Sequence, residues 1–176
     1  MGRGVLPSFE IFWDATFFWQ CSWLSGREGY TYQAIAMEGF AIELHLKCLH
    51  RISNRSIKDI RGLSHGIRKS FEFLTNRDKN TIRKHFAEVA KQRFDCQLSI
   101  ERGYAIDLDS VLDRAEKLFV DARYRAEGAL STRKRKRAGI NHGIRALNRT
   151  LHDIILDKRP NWRKNRRIAK HLDNLP

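Results

Sequence analysis

The chain has 176 residues, 41% of them apolar, and a formal net charge of +14. A chain of this size buries roughly 70% of the surface its unfolded form exposes, so a single core suffices without a disulfide or metal staple. The three cysteines, Cys21, Cys48 and Cys96, are far apart and have no CxxC or Cys/His ligand spacing. That argues against a zinc site or a disulfide framework, and for reduced thiols in a cytoplasmic protein.

The pattern is helical throughout, with three prolines and no sustained alternation of period two, and it predicts five or six helices in one domain. The first runs from about Phe9 to Leu24 and carries seven aromatic residues, with Ser25-Gly26 as its stop. Glu10, Asp14 and Gln20 interrupt the aromatic run, which fits neither a signal peptide nor a span of about 20 apolar residues and reads as a core helix. The second helix is expected from about Thr31 to Ile52, with Ala34, Met37, Ala41, Leu44 and Cys48 on one face. A polar loop, Ser53 to Ser64, leads to His65 at a helix entry that Ser64 can cap. Short helices follow over Ile67 to Leu74 and Asn80 to Phe94, and Asp107 or Asp109 caps another from Ser110 to about Glu127, with Val111, Ala115, Leu118, Phe119 and Ala122 as its buried stripe.

Gly128 to Gly139 contains Arg133-Lys134-Arg135-Lys136-Arg137, whose like charges repel one another and favour an exposed linker. The last long helix begins near Ile140, with Ile140, Ile144, Leu147, Leu151 and Ile154 forming a narrow seam, and Pro160 ends it. Residues 161–176 are expected to form a basic tail, with Trp162 to His171 as a candidate short surface helix. Residues 131–176 hold 14 Lys or Arg against Asp153, Asp157 and Asp173, a balance of +11 that accounts for most of the excess. Such polarisation favours a polyanionic partner, because each neutralised phosphate releases condensed counterions.

Three segments taken together resemble the HEPN superfamily of helical domains: Phe40-Ala41-Ile42-Glu43-Leu44-His45-Leu46-Lys47, Ser64-His65-Gly66, and Phe119-Val120-Asp121-Ala122-Arg123-Tyr124-Arg125-Ala126-Glu127. The resemblance covers about residues 30–160 within a helical domain of residues 1–160. It implies an all-α HEPN-like bundle, a homodimer, and RNA binding with metal-independent endoribonuclease activity of the toxin or defence type. The alternative it carries is a noncatalytic interaction module that binds a partner protein, a nucleotide or a nucleic acid. In many such systems the partner is a small nucleotidyltransferase acting as antitoxin.

Catalytic relatives in that superfamily are similar in carrying an Arg, four to six residues, and a His on a late helix, matched here by Arg145-Ala146-Leu147-Asn148-Arg149-Thr150-Leu151-His152. Seven residues at 100° each bring His152 within about 20° of Arg145, and both stand roughly 130° from the seam, on a flank expected to face solvent or a partner. Transferred to this chain, His152 is the acid or base, Arg145 the phosphate clamp, and Asn148 and Arg149 supporting donors. The commoner ribonuclease version has Asn directly after the Arg, where Ala146 stands here. The run from Arg133 to Arg137 is the candidate nucleic-acid contact.

Glu43 and Lys47 lie one turn apart in the favourable order. Flanked by apolar residues, Glu43 is expected to be partly buried and to need a cation, for which Arg123 is the candidate, bridging the second and penultimate helices in a structural role. His45 and His65 are expected to pack or cap, and His85 to lie on a solvated face. No glycine-rich phosphate loop is present, and no metal or cofactor is expected.

Overall fold

The computed structural model describes residues 8–63, 65–103, 106–126 and 142–165, apart from the side chains of residues 31, 32 and 122–126. These residues form eight α-helices and one 3-10 helix, without strands: α1 Ser8–Arg27, α2 Thr31–Ile52, α3 Ile57–Arg61, α4 Ile67–Glu72, α5 Asn76–Gln92, α6 Phe94–Glu101, α7 Leu108–Ala126, α8 His142–Lys158, and the 3-10 helix Pro160–Lys164. Six of the α-helices have seven residues or more, in keeping with the all-α expectation. The run Arg133 to Arg137 lies outside the described residues.

Turn chemistry sets the boundaries. α1 continues through Ser25-Gly26 and stops later, where Gly29 takes a φ of +84° that a side chain would resist. There Tyr30 N–H reaches the Ser25 carbonyl and Gly29 N–H reaches the Gly26 carbonyl, the two bonds of a Schellman ending. α2 ends in the same motif: Arg55 N–H donates to His50, Asn54 N–H donates to Arg51, and Asn54 sits at φ 62°. Thr75 accepts from the Asp78 N–H and donates to its carboxylate, so α5 begins at Asn76, four residues before the expected start. The Ser56/Asp59 pair does the same for α3, a single turn within the expected loop. Asp107 accepts from Ser110 N–H at 2.8 Å, as anticipated for α7.

α2 is the central helix and packs against α1, α4, α7 and α8. Gly39 allows α7 to approach closely, because a Cβ there would lie 2.6 Å from the Phe119 ring. The core joins Phe12 of α1, Ile42, Leu46 and Leu49 of α2, Phe71 of α4, Ile82 and Phe86 of α5, Leu112 and Phe119 of α7, and Leu147, Leu151 and Ile155 of α8. Full burial of such a side chain contributes roughly 1.5–3 kcal/mol. Trp162 of the 3-10 helix lies 5.4 Å from both Phe9 and Phe12, so residues 160–164 fold back onto α1. Among the described residues no helix is long and apolar enough to cross a membrane.

Candidate functional site

α8 carries the Arg145, Asn148 and His152 stripe, and the expected seam of Ile144, Leu147, Leu151 and Ile154 is buried. The helix is far more enclosed than that seam implies. Asn148 and His152 are buried as well, because α1 and α2 close over the flank expected to face solvent or a partner, and Thr150 on the opposite flank is buried too. His152 is 1% exposed, and its ring lies 5.0 Å from Phe12, 5.6 Å from Trp19 and 6.0 Å from His45. Arg145 Nε donates to Glu38 Oε1 at 3.2 Å, and Asn148 Nδ2 donates to the Glu38 carbonyl oxygen at 3.3 Å. Arg149 is the member of the set that stays near the surface, donating to Asp153 at 2.8 Å.

Burial decides the electrostatics of this seam. It pushes the Glu38 carboxyl up to about 7, with the Arg145 guanidinium pulling the other way. It brings His45 down to about 3, reinforced by the neighbouring His152 and opposed by Asn148. His152 is held below the usual imidazole range, again by burial, while Asp153 beside its Nδ1 at 3.5 Å acts in the opposite sense. An enclosed imidazole in this position has no path to a 2′-hydroxyl without movement of α1, since proton transfer needs hydrogen-bond reach.

A second constellation unites two of the segments that carry the family resemblance. Glu43 is 2% exposed, and its carboxylate is bonded by Lys47, the expected partner one turn on, and by His65 Nδ1, 3.1 Å from each carboxylate oxygen. The Arg123 side chain lies outside the described residues, and the Glu43 carboxylate already has these two donors. His65 neither packs nor caps: its side chain is half exposed, and the N-cap of α4 is Gly66, with no side-chain bond. Ser64, the expected cap, lies outside the described residues.

A third feature was not anticipated. Segments 51–55, 75–79 and 158–164 contain eight Lys or Arg and one carboxylate, Asp78, and they meet at one end of the bundle. Asp78 is the hub: it accepts from Ser53 at 3.2 Å, Thr75 at 2.9 Å and Lys158 at 2.9 Å, and is itself buried. These bonds hold its carboxyl below the usual range despite the opposing effect of burial. With Asp78 turned inward, Arg77, Arg159, Arg163 and Lys164 remain exposed, and Asp157 next to the segments is bonded by Arg163 at 2.7 Å. Charge counting within each segment was the available signal; their meeting depends on Asp78.

Among the described residues no group of His, Cys, Asp and Glu is arranged to hold a metal ion. No family model matches the chain, and no curated protein or solved structure matches it significantly.

Proposed function

We propose that this chain is a HEPN-like helical module that binds RNA through the basic end of its bundle and does not cleave it at α8. The observation that carries the reading is the concentration of exposed Arg and Lys at that end around a single buried carboxylate, in a chain of net charge +14. A phosphate backbone satisfies such a face with no need for base-specific pockets, and counterion release supplies the affinity. The choice of RNA over DNA rests on the HEPN resemblance. The enclosure of His152 beneath Phe12 and Trp19, and the commitment of Arg145 to Glu38, support binding over catalysis on α8.

Fluorescence anisotropy of a labelled single-stranded RNA at rising salt tests this. Affinity is expected to fall linearly on a log–log plot, with a slope of about −0.7 per phosphate contacted. The Arg159→Gln/Arg163→Gln variant is expected to bind more weakly and with a shallower slope. Absence of binding at low salt, or affinity indifferent to salt, would overturn the reading.

A further inference from the structure

We infer that the bound strand leaves the bundle end along α3 and reaches a phosphate site formed by Lys47 and His65 on the buried Glu43 carboxylate. This inference rests on the RNA-binding reading and adds the path and one terminus of the contact surface.

The path is continuous in the chain. Arg51 Nη1 donates to the Arg55 carbonyl at 2.9 Å, the left-handed Asn54 turns the backbone sharply between them, and α3 follows at once. Lys58 and Arg61 are exposed on that helix. The one carboxylate between Arg51 and Lys69 is Asp59, which accepts from the Ser56 hydroxyl at 2.6 Å and is outnumbered by Arg51, Arg55, Lys58 and Arg61, so the track stays net positive. Glu43 lies eight residues before Arg51 on α2, about 12 Å along the helix axis.

The terminus is set by Glu43. Because His65 Nδ1 faces both carboxylate oxygens, it must donate there, and the ring then presents Nε2 away from Glu43 on a half-exposed side chain. Lys47 bonds the Oε1 atom that His65 also meets, so its ammonium and the imidazole flank one point. A single buried carboxylate held by two donors that can both be cationic leaves the cluster able to take a further anion. When the imidazole carries both protons, a phosphate oxygen can accept from Nε2–H and from Nζ–H in the charge-assisted bonds that such an arrangement favours.

Acidic groups mark where the track stops. Arg68, the next arginine, is engaged by Asp109 at 2.9 Å, Asp113 at 3.5 Å and Glu72 at 3.4 Å. The α4–α7 cavity of about 360 Å³ beside it is lined by Asp113, Glu116 and Asp121 against Arg68 and Lys117, a lining with an acidic excess.

The test compares wild type with His65→Asn and His65→Gln. Asparagine places its amide where Nδ1 stands and can keep the bond to Glu43, but has nothing at Nε2. Glutamine reaches outward. Single-stranded RNA binding is expected to weaken several-fold in His65→Asn, with the salt slope smaller by about one contact and the melting temperature unchanged, and His65→Gln is expected to fall between it and wild type. Equal binding by wild type and His65→Asn would overturn the inference and leave His65 as a tether of the α3–α4 loop. Saturable binding of free AMP, monitored at the His65 ring nitrogens and lost in His65→Asn, would overturn it in favour of a mononucleotide site. Failure of all three proteins to bind RNA would instead remove the reading on which it rests.

Discussion

Glu38 makes the stability of this bundle depend on pH in an uncommon direction. Its carboxyl is 4% exposed, and burial raises it from 4.5 to about 7 although Arg145 Nε lies 3.2 Å away. The folded state therefore holds the proton more tightly than the unfolded state. The stabilisation this supplies is full below the unfolded value of 4.5 and is lost as pH rises through 7. A displacement of this size corresponds to about 3 kcal/mol, most of it falling between about pH 5 and pH 8. The buried histidines act in the opposite sense, since the lowered His45 and His152 favour folding above the ordinary imidazole range and cost stability as pH falls. Subtraction separates the two effects, because Glu38→Gln removes one titration and leaves the histidines in place. Urea unfolding followed by circular dichroism is expected to give a wild-type stability, relative to Glu38→Gln, that declines by about 2–3 kcal/mol from about pH 5 to about pH 8. A difference that is flat, or that grows with pH, would refute the argument and mean that Arg145 keeps Glu38 ionised throughout.

Two other substitutions probe the frame that positions the candidate sites. Gly39→Ala forces a methyl group against the Phe119 ring and is expected to destabilise the fold by about 1–3 kcal/mol in chemical denaturation, whereas no loss would mean that α7 can shift freely. Asp78→Ala strips the hub of the basic end, releasing Lys158, Ser53 and Thr75 together, and is expected to cost about 2–4 kcal/mol and to weaken RNA binding even though it removes a negative charge. Tighter RNA binding by that variant would show that charge alone, without the geometry, sets affinity.

Much of the fold was legible because its signals are local. The extent of α2, Thr31–Ile52, follows from apolar recurrence and the turn after it, and Asp107 announced α7. Errors arose where one local signal outranked a stronger neighbour. Ser25-Gly26 suggested a stop, but Gly29 is the residue that adopts the left-handed turn, and the Thr75/Asp78 box started α5 early. The site was less legible because its geometry is long-range. The apolar seam of α8 was found, but the buried polar residues Asn148, Thr150 and His152 carry no hydrophobic signal, and neighbouring helices enclose them, α2 through Glu38 at Asn148 and α1 through Phe12 and Trp19 at His152. Glu43 was expected to need a cationic partner, and Lys47 one turn on bonds it, while the Arg123 side chain lies outside the described residues. The pairing of Glu43 with His65, 22 residues away, lies beyond any periodicity, as does the meeting of three loops at Asp78.

The most direct measurement of the central claim is to incubate the purified protein with a labelled single-stranded RNA in EDTA and follow both its mobility in a native gel and its length in a denaturing one. The account predicts RNA that is retarded but intact, with retardation reduced in Arg159→Gln/Arg163→Gln. Fragments with 2′,3′-cyclic phosphate ends that disappear in a folded His152→Asn variant, or RNA that is not retarded at low salt, would contradict it.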